Sequence, residues 1–126
     1  MLQHVLLVGL GGCLGSMARY ITVGWVERLA ITAAFPYGTL VVNVLGCLAI
    51  GFLGGLAGQK QFLSESTRLL LFTGILGGFT TFSAFGLETF YLLRTAQGGI
   101  ALLNVGAQVI LGLCATALGY YVSRVF

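Results

Sequence analysis

The chain has 126 residues, of which 58% are hydrophobic and only 7% charged, with a formal net charge of +3. A soluble domain carries about 25% charged residues, and a chain this short has too little interior to hide so much apolar surface. That excludes a soluble fold and leaves lipid as the solvent for most side chains.

A spanning helix needs roughly 20 apolar residues. Four such segments with short loops use the whole chain, so residues 1–126 are expected to form one transmembrane domain. Each segment must be helical, because a backbone crossing lipid has to satisfy its own hydrogen bonds. The first runs over about 4–25, from His4 to Trp25. It lacks a basic start and carries Gly11, Gly12, Gly15 and Arg19, which suit a packed span better than a cleaved signal peptide. The second runs over about 37–57, just after Pro36, the third over about 67–93 and the fourth over about 99–122. Trp25, Tyr37, Tyr91, Tyr120 and Tyr121 fall at segment ends, where amphipathic rings favour the interface.

Small residues four apart recur in each segment: Gly11 and Gly15, Gly51 and Gly55, Gly74 and Gly78, Gly112 and Thr116. They are weak signals of close helix packing. Cys13, Cys47 and Cys114 stand singly, without metal spacing, and read as small packing residues. The run Gly9 to Gly15 is not a dinucleotide fingerprint, because its third glycine falls one residue late and no strand precedes it.

The third segment holds the densest pattern, from Gly74 to Phe85. Gly77-Gly78-Phe79-Thr80-Thr81 is a poor continuous helix, because glycine and β-branched threonine both weaken it. The helix is therefore expected to break there, near the bilayer midplane. Broken backbone at that depth survives only if buried in protein or lining a polar cavity. Freed carbonyls can coordinate a cation, and the start of a half-helix attracts anions; a simple packing kink is the alternative.

Lys and Arg count almost equally on the two sides. Lys60, Arg68 and Arg124 fall on one; Arg28 and Arg94 fall on the other, with Arg19 if it snorkels that way. A chain without bias can insert both ways, which points to an antiparallel, dual-topology homodimer unless some other feature fixes orientation. Two midplane breaks can then meet on the two-fold axis, and two carbonyls from each chain would make a four-oxygen cation site.

Polar residues within spans are few. Arg19, Thr39, Asn43, Glu88, Asn104 and Gln108 are functional candidates, each with a plain alternative as interhelical contact. One carboxylate inside a span and one histidine, His4, give no acid–base pair, triad or metal cluster, so no enzyme is expected. Phe82 and Phe85, about one turn apart, can line a path, since ring edges carry partial positive charge. Hydroxyl and amide donors from Thr39, Asn43, Thr81 and Ser83 can replace lost hydration water.

Three blocks resemble the Fluc (CrcB) family of fluoride channels. Gly11 to Tyr20 is similar to the family's GGxxGxxxRY, Pro36 to Gly46 to its PxGTLxxNxxG, and Gly74 to Glu88 to its GxxGGxTTFSTFxxE. The resemblance spans most of the first three segments in order. It implies a dual-topology dimer with two fluoride pathways and a central structural sodium ion that is not transported. It implies that Gly77 and Thr80 give backbone carbonyls to the sodium, that Phe82 and Phe85 are the pore phenylalanines, that Asn43 is a vestibule amide, and that Thr81 and Ser83 line a polar track. Ala84 departs from the usual threonine. Gln108 and Gly112 stand where some relatives carry serines on that track, and Gln108 offers an amide instead.

The expected function is a fluoride-specific channel in the bacterial inner (plasma) membrane, multi-pass, with itself, fluoride and the bilayer as partners and no nucleic acid. It would passively export fluoride and lower its cytoplasmic concentration, because HF enters an acid-exposed cell, ionises and is trapped. A small dual-topology multidrug transporter is a competing reading, but those rely on a glutamate in the first span, where this chain has none. A non-transporting scaffold would explain the glycines but not the hydroxyls and phenylalanines at a midplane break.

Overall fold

The computed structural model describes residues 1–30, 34–59 and 63–125. Lys60, one of the cations counted above, lies outside them. All regular structure among the described residues is helical. Helix α1 spans Leu2–Leu29 and α2 spans Tyr37–Gln59. The third span is composite: α3 (Glu65–Arg68), a π-helical stretch (Leu69–Leu76), α4 (Gly77–Phe79) and α5 (Phe82–Arg94). Helix α6 spans Gly98–Ser123. All four spans are long and apolar enough to cross a membrane, as expected from the sequence. Each runs slightly past its apolar stretch, because a helix stops where its end groups find partners. At the start of α3, for instance, Ser64 Oγ accepts the Thr67 N–H at 3.2 Å.

The spans pack in two parallel pairs. In the first, α1 lies backbone to backbone on the π-helical stretch: a Cβ on Gly11 would stand 2.7 Å from the Leu70 carbonyl oxygen and 2.8 Å from Gly74 Cα. In the second, α2 lies on α6. Gly112 faces Cys47, Gly51 presses on the Thr116 backbone, and Gly55 on Tyr120 and Ser123. This register advances four residues at a time on both helices, and one step earlier it brings Asn43 opposite Gln108. Without a hydrophobic drive between helices in lipid, such close backbone contact supplies the cohesion. Accordingly the fully buried side chains are modest in size, Val42, Asn104 and Ser123, while Leu10, Leu103 and Leu113 face outward.

The third span breaks later than the glycines suggest. Thr80 has φ −82° and ψ 160°, and Thr81 has φ −151° and ψ 114°, both extended. Gly77 is helical, with φ −62° and ψ −36°. Gly78 serves packing, since a Cβ there would meet the Gly12 carbonyl oxygen at 2.6 Å. The interruption is thus the work of two β-branched residues, which favour extended backbone. The π-helical stretch just before it has no counterpart in the sequence reading.

Candidate functional site around the Thr80–Thr81 break

A helix that stops at Thr80 must rehouse the hydrogen bonds it abandons. The Thr80 N–H and its hydroxyl both donate to the Leu76 carbonyl at 3.0 Å, closing the first half. In an unbroken helix the Thr81 N–H would bond the Gly77 carbonyl. Instead it donates to Asn43 Oδ1 at 2.8 Å, while Asn43 Nδ2 donates back to the Thr81 carbonyl at 3.1 Å. Asn43 Nδ2 also donates to Gln108 Oε1 at 3.1 Å. Both hydrogens of that amide are therefore engaged. The second half starts with a cap: Thr81 Oγ1 accepts the Ala84 N–H at 3.2 Å and lies 3.3 Å from Ser83 Oγ.

Two grooves flank the break, and Thr81 lines both. The first, about 370 Å³, holds Asn43, Gly77, Thr80, Phe82, Phe85 and Gln108. Phe82 is 82% exposed. Its ring meets that of Phe85 edge-on, with centroids 5.4 Å apart and planes at 62°. The second groove, about 470 Å³, holds Arg19, Thr39, Ser83 and Glu88. Of the eight residues expected to line the fluoride pathway or give carbonyls to a cation, Asn43, Gly77, Thr80, Phe82 and Phe85 share the first groove, Thr39 and Ser83 share the second, and Thr81 is the wall between.

The charge distribution around Thr81 favours an anion. The N-terminal end of α5 carries partial positive charge, and Arg19 Nη1 donates to the Thr80 carbonyl at 3.0 Å. The Thr39 hydroxyl is committed to Glu88 Oε1 at 2.5 Å, and the buried Glu88 Oε2 has no partner among the described residues. Between the Thr81 and Ser83 hydroxyls one hydrogen joins the pair and the other remains available to an ion. Behind Phe85, Asn104 Nδ2 donates to Thr89 Oγ1 at 3.0 Å, and Thr89 donates to the Phe85 carbonyl at 2.7 Å, which anchors α5 to α6.

Sequence reasoning did not find the bond from Arg19 to Thr80 or the clamp role of Asn43. The second had a signal: the four-residue ladder of small residues on α2 and α6 extends back to Asn43 and Gln108. Among the described residues no three His, Cys, Asp or Glu side chains gather to hold a metal ion. A cation site here would have to be built from neutral backbone oxygen. The Gly77 carbonyl, released from its helical donor, fits a hard monovalent cation. The Thr80 carbonyl fits in kind but shares its oxygen with Arg19.

The family described as "CrcB-like protein, Camphor Resistance (CrcB)" matches residues 6–120. A protein of Methylobacillus flagellatus named "Fluoride-specific ion channel FluC" is 49% identical over 119 residues, covering 94% of this chain and 93% of its own. Relatives of the same name from Nitratidesulfovibrio vulgaris and Chlorobium chlorochromatii are 45% and 46% identical, covering 98% and 96% of this chain and 98% and 92% of theirs.

Proposed function

Since this chain belongs to the CrcB-like family, we propose that it is a fluoride-specific ion channel, a multi-pass membrane protein and not an enzyme, which passively exports fluoride from the cytoplasm across the bacterial plasma membrane. The observation that carries the reading is the broken third span. Its ends are held apart by Asn43, and Phe82 and Phe85 stand at its lip. Fluoride is small and strongly hydrated, so a pathway must replace its water without holding it too tightly. Ring edges offer weak positive charge, and the Thr81–Ser83 hydroxyl pair offers a stronger donor. Flux then follows the fluoride gradient, and no proton-coupling group is required.

Two copies in opposite orientation complete the channel in this reading. Gly77 and Phe82 lie exposed on one copy, next to backbone that has left the helix ladder. Such backbone at mid-depth cannot face lipid. A second copy, inserted the other way as the balanced charge allows, covers one break with the other. The Gly77 and Thr80 carbonyls of both chains would hold a structural sodium ion there, whose positive charge would tie the two breaks together.

The test is efflux from liposomes carrying the purified protein, read with a fluoride electrode after the membrane potential is collapsed. Fluoride release far above that of empty vesicles, with chloride retained, is expected. No release, or equal release of chloride, sinks the reading.

A further inference from the structure

At the end of the third span opposite Arg94, a groove of about 690 Å³ opens between the last turns of α2 and the start of that span. Glu65 and Arg68 line its outer end, and Leu69, Phe72 and Ala57 make an apolar wall further in. Thr73 lines it too, five residues along from Arg68. In an α-helix only residues three and four apart are neighbours. The π-helical stretch that follows Arg68 has bonds reaching five residues back, such as Gly77 N–H to the Phe72 carbonyl, and so brings Arg68 and Thr73 to one side. The span is 30 residues long, more than the roughly 20 needed to cross the hydrocarbon, so its first turn stands at headgroup depth. Glu65 and Arg68 are opposite in charge and spaced as helical pairs are. Yet neither side chain makes an ion pair or hydrogen bond with any described residue. The mouth of the groove therefore carries a free anion beside a free cation.

From this we infer that the groove binds an aminophospholipid, with its phosphate on the Arg68 guanidinium, its ammonium on the Glu65 carboxylate and an acyl chain along Leu69 and Phe72. The Thr73 hydroxyl, deeper in the groove, donates to an ester carbonyl below the phosphate. This site lies apart from the Thr80–Thr81 break and does not depend on fluoride passage. Headgroup charge decides the occupant, because an acyl chain has apolar surroundings in the groove and in the bilayer alike. A purely anionic headgroup gains from Arg68 but meets Glu65 as a like charge. A choline headgroup carries both charges, but its methylated nitrogen has no N–H to give Glu65. An ethanolamine headgroup satisfies both side chains with charge-assisted hydrogen bonds, guanidinium to phosphate and ammonium to carboxylate.

The test mixes purified full-length protein in detergent with equal amounts of phosphatidylethanolamine, phosphatidylcholine and phosphatidylglycerol of matched acyl chains. Bound lipid is read by native mass spectrometry. Wild type should retain phosphatidylethanolamine about threefold over each of the others, a preference of the size an exposed ion pair allows. Arg68→Gln should lower its retention about threefold. Glu65→Gln should abolish the preference over phosphatidylcholine and raise retention of phosphatidylglycerol. Arg94→Gln, which removes an arginine outside the groove, should behave as wild type. Equal retention of the three headgroups by wild type overturns the site, and that comparison needs no variant. A wild-type preference for phosphatidylglycerol overturns it as well, because Glu65 then takes no part. So does a preference for phosphatidylethanolamine that R68Q and E65Q both keep, since the lipid then sits elsewhere. Fluoride efflux does not enter the readout, so failure of the channel reading and failure of this site are separate results.

Discussion

Asn43 holds both polar groups of Thr81, accepting its N–H at 2.8 Å and donating to its carbonyl at 3.1 Å. One side chain on α2 thus takes the place of the helical neighbours that the third span gives up at the break. The arrangement makes the interruption a property of two helices rather than of one weak sequence.

Replacing Asn43 with Ala should close the pathway. The Thr81 N–H and carbonyl would both lose the side chain that holds them out of the helix, and Gln108 would lose the donor that orients it. Leaving a buried backbone group unpaired costs about 1–3 kcal/mol, so the variant should melt at lower temperature and pass fluoride at least about tenfold more slowly. Asn43→Asp retains the acceptor for the Thr81 N–H but sets a carboxylate oxygen against the Thr81 carbonyl and Gln108 Oε1, so it should recover at most part of the melting temperature and none of the flux. Thermal unfolding in detergent and liposome efflux check the pair. Equal melting of wild type and N43A would show that the break stands without its clamp.

Phe82 tests the ring edge rather than the backbone. Its ring meets that of Phe85 and is 82% exposed on one copy, so Ile at this position should leave each chain's fold intact. Ile fills similar space but lacks the positive ring edge. Fluoride flux should fall strongly while size-exclusion chromatography reports the same assembly as for wild type. Unchanged flux would take Phe82 out of the pathway.

The four spans were legible in the sequence because lipid imposes length and apolar character on each. The break was legible to within a few residues, since Gly77, Gly78, Thr80 and Thr81 are all poor in a helix interior. Which of them breaks it was not, because that depends on α1. Gly78 is forced to stay small and helical by the Gly12 carbonyl, a contact 66 positions away in sequence. The polar and aromatic site residues stood out in an apolar chain, whereas Gly77 and Thr80 as carbonyl donors came from the resemblance to the CrcB family, and most of them do meet. Their division into two grooves about Thr81, and the spending of both Asn43 hydrogens, depend on the register between α2 and α6 and on rotamers that no sequence pattern encodes.

Gly78 supplies a test of that packing. A methyl group there must push the backbone of α1 away, because the atoms it meets at 2.6 and 3.0 Å are main-chain atoms of Gly12. Overpacking of this kind costs about 1–3 kcal/mol. Gly78→Ala should lower the melting temperature, whereas Gly86→Ala, where a Cβ meets nothing within 4 Å, should leave it unchanged or raise it slightly, since alanine is the better helix former. Equal melting of the two variants would mean that α1 and α4 are not in backbone contact.

The proposed sodium site leads to a prediction in which Arg19 opposes the ion. The guanidinium donates to the Thr80 carbonyl at 3.0 Å, so a sodium ion on that oxygen would share it with a second positive charge. Like charges at such short range repel by about 1 kcal/mol even in a medium as polar as water, and by more when partly buried. Exchanging sodium for a bulky organic cation during purification should loosen the dimer, seen as a shift to monomer in cross-linking or chromatography. Arg19→Met, which keeps a long side chain but removes the charge, should lower the sodium concentration needed to hold the dimer by about fivefold or more. Titrating sodium against dimer fraction for both proteins makes the measurement independent of flux. A dimer indifferent to sodium would argue against the carbonyl site. A sodium-dependent dimer with the same midpoint in R19M would keep the site but place it away from the Thr80 oxygen that Arg19 holds.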